Sequence, residues 1–124
     1  MDFESQLIGV MVDDCWVLGW RATNDQLIFD IEASLWPGHP NYEPPKPDHW
    51  ACYKRAQLIF SGVREVVGLL PMSEAKSTTD PDGSVDYDSI DSLEQTNGGF
   101  SISGEFGDVF VSANAMQLVV LAEA

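Results

Sequence analysis

DCWVLGWRATNDQLIFDIEASL, residues Asp14 to Leu35, is the stretch whose reading decides the fold. With Asn24-Asp25 as the two central residues of a tight turn, the flanking runs pair across it: Trp20 faces Phe29, Leu18 faces Ile31 and Trp16 faces Ala33. Side chains alternate between faces along a strand, so these residues form one apolar face of a two-stranded ribbon. The other face sets Gly19 opposite Asp30 and Val17 opposite Glu32, which is half polar. Asn and Asp tolerate the left-handed backbone that such turns require. A slip by one residue would push Asp30 and Glu32 into the core, so the pattern predicts a definite register.

The same rule applies near the other end of the chain. With Gly107-Asp108 as a two-residue turn, Phe106 faces Val109, Gly104 faces Val111 and Ile102 faces Ala113, and Phe100 continues the row. A last strand, Met116 to Leu121, is apolar on both faces and is expected to be buried. Between the two hairpins, Tyr53 to Phe60 alternates with Ala56, Leu58 and Phe60 on one face. Val63 to Leu70 reads as a further strand with Val63, Val67 and Leu69 inward, since its β-branched valines favour strand over helix. At the N-terminus, Phe3, Leu7, Val10 and Met11 are spaced for a short helix with Asp2 as N-cap, while the β-rich run Leu7 to Val12 keeps a strand open.

Two stretches read as loops. Five prolines between Trp36 and Trp50 exclude a helix or a central strand and stiffen residues 36–50 into an extended connection. Residues 72–95 are polar, acidic and broken by Pro81 and Gly83, which predicts an exposed loop with one short strand around Val85 to Ile90. The sum is a single domain over residues 1–124. Its class is mainly β, with α+β open if the N-terminal segment is helical. It is expected as an antiparallel β-sandwich or partly open barrel of about six or seven strands with at most one short helix.

Charge narrows the partners. The chain has 124 residues with 20 acidic against 6 basic side chains, a formal net charge of −14. Phosphate backbones and anionic membrane surfaces are bound through Lys and Arg, so neither nucleic acid nor membrane is an expected partner, and a basic protein is. From Ser77 to Ala124 there are nine acids and no Lys or Arg. The N-terminus Met-Asp-Phe-Glu is acidic where a secretory signal is basic, and the apolar run Leu7 to Val12 is too short to span a bilayer. A cytoplasmic protein is expected. In such a reducing compartment Cys15 and Cys52 are expected as buried free thiols.

Motifs for chemistry are missing. Placing Gly83 at the sixth position of a calcium loop puts Thr78 first and Ser89 last, where Asp and a bidentate Glu are needed. His39, His49 and Cys52, with Cys15 as a fourth, lack the paired spacing of a zinc site. There is no Gly-x-Ser-x-Gly elbow, and Gly98-Gly99 opens a strand with no helix to cradle a phosphate. The chain is therefore read as non-enzymatic, with no metal and no cofactor. Two places are candidates for binding. The stiff aromatic loop offers Trp36, His39, Tyr42, His49 and Trp50, with Tyr53 just after it, and the acidic loop offers Asp80, Asp82, Asp86 and Asp88. Rigid aromatic segments lose little entropy on binding; the bland counterpart is that these rings seal one end of the sandwich.

Asp14-Cys-Trp-Val-Leu-Gly, Gln26-Leu-Ile-Phe-Asp-Ile and Gly104-Glu-Phe-Gly-Asp-Val-Phe-Val-Ser-Ala together resemble small acidic bacterial β proteins. These include immunity proteins of polymorphic toxin systems as well as relatives without an assigned role. Many members carry His before the Asp, where this chain has Asp13. The resemblance implies a protein-binding domain that blocks a basic toxin, and it carries over no catalytic residue. Two other readings stay open: a small-ligand or sugar-binding β module using the aromatic loop, and a domain that self-associates, as a homodimer, through an exposed strand edge.

Overall fold

The hairpin at the head of the chain forms, but with a change of phase inside it. A computed structural model describes residues 2–121. It contains a one-turn helix α1 (Phe3–Gln6) and ten strands: β1 (Trp16–Ala22), β2 (Gln26–Leu35), β3 (Cys52–Ser61), β4 (Glu65–Val67), β5 (Thr78–Thr79), β6 (Val85–Asp86), β7 (Ser92–Thr96), β8 (Gly99–Gly104), β9 (Gly107–Ser112) and β10 (Ala115–Val120). The Thr23 amide donates to the Gln26 carbonyl at 2.9 Å, leaving Asn24-Asp25 as the central turn residues as expected. Trp20 pairs with Phe29 and Gly19 with Asp30. Beyond them a β-bulge at Leu18 puts Val17 opposite Ile31 and Trp16 opposite Glu32, replacing the expected pairs Leu18–Ile31 and Trp16–Ala33. The extra residue reverses the alternation, so Val17 is fully buried while Trp16 and Leu18 are only half-buried. The run Trp-Val-Leu-Gly-Trp is apolar at every position, and hydrophobicity alone does not choose which of its rows faces in.

All ladders are antiparallel. One sheet runs β1-β2-β3-β10 and the other β4-β9-β8-β7, with β5 and β6 as a separate small hairpin. Ala56, Leu58 and Phe60 of β3 face inward as the alternation predicts. Between the sheets, Phe29 and Phe106 meet at 4.9 Å, Trp20 and Phe106 at 5.9 Å, and Phe60 and Phe100 at 5.4 Å. The buried Trp20 indole donates to the Leu70 carbonyl at 2.9 Å, so the one polar atom of that ring is satisfied. The architecture is the expected antiparallel sandwich.

Several boundaries differ from expectation. The second hairpin turns at Glu105-Phe106, with Gly104 opposite Gly107, Ile102 opposite Val109 and Phe100 opposite Val111. The slip is even, so the same side chains stay inward, and Phe106 leaves the ladder to be buried completely as a plug between the sheets. From Val63 to Leu70 only β4 is strand, and Val66 packs inward while Val67 is 52% exposed. The last strand lies at a sheet edge rather than inside, with Met116 buried and Gln117 exposed. Residues 72–95 carry β5, β6 and most of β7, more order than an exposed loop. Residues 86–90 line the outer edge of β1, with the Tyr87 amide donating to the Val17 carbonyl and the Val17 amide to the Asp88 carbonyl.

The N-terminal segment is the helix rather than the strand. The Asp2 carboxylate accepts from the Ser5 amide at 2.8 Å, which caps α1 and lowers the carboxyl's pKa. Gln6 then reaches β10, where its Oε1 accepts the Leu118 amide at 3.0 Å. That strand edge is therefore partly occupied by the chain's own helix, which blunts it as a template for a second copy. Residues 36–50 hold neither helix nor strand, as the prolines dictate. Cys15 and Cys52 are buried and unbridged.

Candidate functional site

The bulge at Leu18 shapes a concavity on the outer face of the first sheet. By turning Trp16 and Leu18 to the outer face of the first sheet, it places them beside the outward residues of β2 and β3. Trp16, Glu32 and Arg55 form one cross-strand row, and Tyr53 stands next to it. The β5–β6 hairpin rises along this face and contributes Asp80, Ser84, Val85 and Asp86. The result is a cleft of about 350 Å³ lined by these nine residues. The sheet side of the cleft mixes Trp16, Leu18 and Tyr53 with the charged Glu32 and Arg55, and the carboxylates of Glu32, Asp80 and Asp86 outnumber the single Arg55 guanidinium.

Each wall is held locally. The Asp80–Ser84 turn is closed by the Asp80 amide donating to the Ser84 carbonyl (2.8 Å) and the Gly83 amide donating to the Asp80 carbonyl (2.9 Å). Ser84 gives its amide and its hydroxyl to the Asp82 carboxylate at 2.9 and 2.6 Å, which lowers the pKa of Asp82. Asp82 is not among the lining residues, whereas Asp80 and Asp86 line the cleft while accepting the Ser84 hydroxyl at 3.3 Å and the Asp88 amide at 3.0 Å, respectively. Asp88 has a left-handed backbone (φ 65°), and its carboxylate accepts the Ser89 amide at 2.8 Å, again outside the cleft. Of the four sequence candidates in the acidic loop, Asp80 and Asp86 reach the site.

The aromatic loop also divides. Trp36 and Trp50 meet edge-on at 6.0 Å, and Trp50 meets Tyr53 at 6.4 Å, so a row of rings leads from the loop toward the cleft. The Trp36 indole donates to the Ser34 hydroxyl at 3.1 Å, whereas Trp50 is 64% exposed. The other three loop candidates do not join them. His39 is half-buried, its Nδ1 accepts the Asn41 amide at 3.0 Å, and burial lowers its pKa. Tyr42 packs against the core, and the neighbouring Glu43 pairs with Lys54 of β3. His49 is exposed, 3.8 Å from Asp48. Among the described residues no three His, Cys, Asp or Glu side chains converge to hold a metal ion.

Tyr53 is the pivot between ring row and cleft. Its hydroxyl donates to Asp14 Oδ2 at 2.7 Å. Burial, followed by the Asp14 carboxylate, pushes its pKa up to about 12. Burial likewise pushes the Cys15 thiol up to about 11, from an ordinary 9.0. Both groups hold a proton in the folded chain that the unfolded chain gives up at lower pH. Stability is therefore complete below about pH 9 and declines as pH rises toward about 12. Denaturant midpoints measured across that interval should fall, and Tyr53→Phe should flatten the upper part of the fall; an unchanged slope would remove the Asp14–Tyr53 pair from this account.

Trp16, Leu18, Glu32 and Arg55 were not among the residues that the sequence singled out as a site, whereas Tyr53 was offered with the aromatic loop and lines the cleft. The available signal was the doubly apolar run of β1, where one row is surplus to the core. Comparison with protein-family models, with curated proteins and with solved structures returned no match. Among the described residues no helix is long and apolar enough to cross a membrane.

Proposed function

We propose that this chain is a non-enzymatic protein-binding domain that captures a basic partner through the outer face of its first sheet, the immunity-type inhibition of a basic toxin being its specific form. One observation carries the reading: a cleft lined by Trp16, Tyr53 and three carboxylates adjoins, through Tyr53, a tryptophan that is 64% exposed. Exposed aromatic anchors inside a polar rim are the usual centre of a protein interface. With a net charge of −14, encounter with a cationic protein is accelerated over the whole surface, and the effect is screened by salt. The sugar-binding alternative is left with Trp36, His49 and Trp50, because His39 and Tyr42 are engaged by the loop and the core. The test is a kinetic one. A genuine basic partner should associate about ten-fold or more slowly in about 0.5 M salt than at low salt, and Trp50→Ala should raise its dissociation rate. A partner whose association is indifferent to salt would overturn the reading.

A further inference from the structure

We infer that the cleft between the first sheet and the β5–β6 hairpin receives one arginine side chain of the partner. The guanidinium lies over the Trp16 and Tyr53 rings and faces Glu32, Asp80 and Asp86. This inference rests on the protein-binding reading and gives its contact a chemical identity.

Four features point to that occupant. The carboxylates are spread around the cleft rather than converged, and among the described residues no metal-holding group exists, so the site suits an extended cation better than a point charge. Two of the five sheet residues that line the cleft, Trp16 and Tyr53, are rings, whose negative faces attract cations most when water is excluded. A planar, weakly hydrated guanidinium stacks on such rings and takes carboxylates in two-pronged fashion, which a lysine ammonium does not. Leu18 and Val85 supply apolar wall for the methylene stem.

Arg55 gives the inference its sharpest consequence. It already lines the cleft and is exposed on its outer side, so it opposes an incoming cation and would favour an incoming anion. Removing it separates the two signs of ligand.

The experiment uses the full chain and N-acetyl-arginine amide, followed through the indole N–H signals of Trp16 and Trp50 in NMR spectra. A saturable shift of the Trp16 signal is expected at roughly millimolar probe, the strength of one partly desolvated cation–π contact with exposed ion pairs. The uncharged citrulline analogue should leave the signal in place. Arg55→Ala should tighten arginine binding about two- to five-fold, and Asp80→Asn with Asp86→Asn should loosen it by a similar factor. The inference is overturned if citrulline binds as well as arginine, if Trp16 does not respond, or if Arg55→Ala abolishes binding. An oligoarginine peptide, titrated in parallel, separates the two levels. Salt-sensitive peptide binding without any Trp16 response removes the cleft assignment and leaves the protein-binding reading standing; absence of binding by either probe removes both.

Discussion

Replacing Phe106 by alanine should destabilise the protein by about 3–5 kcal/mol, as deletion of a fully buried aromatic ring does. Phe106 has no exposed surface, and its ring contacts both Phe29 and Trp20. A turn residue performs the job of a core residue, because the hairpin turns two residues earlier than a Gly107-Asp108 turn would. No neighbouring strand can collapse into the space, since Phe106 enters it from the end of a ladder. Typical domains have only about 5–15 kcal/mol in hand, so the variant should show a sharply lower denaturation midpoint in urea, and much of it should be unfolded at elevated temperature. A loss below about 1 kcal/mol would mean that the two sheets do not depend on this plug.

Gly107→Ala should be among the most damaging changes to the backbone. Gly107 sits at φ 118°, and a Cβ there would stand 2.2 Å from the carbonyl oxygen of Gly68. Strain and clash act together: the positive φ alone costs a side chain about 1–2 kcal/mol, and the rigid carbonyl cannot swing away as a side chain could. We expect a loss of about 3 kcal/mol or more, exceeding the range for ordinary surface changes. Gly98→Ala is the control. Gly98 also has a positive φ, 84°, but nothing lies within 4 Å of its added Cβ, so only the strain should be felt. Equal losses for the two variants, read from urea titrations, would discard the close approach of β9 to residues 68–70.

The fold class was legible because inner rows alternate so regularly on β2, β3, β8 and β9. Phe29, Ile31, Leu58, Phe60, Ile102 and Val109 declare their faces without help. What was not legible was phase. The bulge at Leu18 is invisible in a stretch where every residue is apolar, and the even slip of the second hairpin exchanges one acceptable set of pairs for another. Short pairing was only partly legible: β5 contributes two residues, too few to show a period, while β6 falls inside the strand expected around Val85 to Ile90. That residues 86–90 bind the edge of β1 was hidden, since they do so through backbone groups that leave no trace in side-chain pattern.

The site was half legible for the same reasons. Trp36, Trp50, Asp80 and Asp86 could be singled out by type and context, while Asp82, Asp88, His39, Tyr42 and His49 look equivalent on paper. Their separation depends on which carboxylates the β5–β6 hairpin carries to the cleft and which rings pack down. Tyr53 could be named as an aromatic next to the loop, while Glu32 and Arg55 needed the sheet itself to be recognised, since they meet only because β3 lies beside β2 and shares its outer surface.

That shared surface means that recognition and folding are written on alternate letters of the same strands. Val17, Ile31 and Ala56 belong to the fold; Trp16, Glu32 and Arg55, their immediate neighbours in the chain, belong to the outer face. Mutation at the second set changes what the cleft would accept and leaves the first set untouched. Under the protein-binding proposal, a lineage carrying this scaffold could exchange one partner for another by single substitutions on the outer row, with little risk of unfolding on the way.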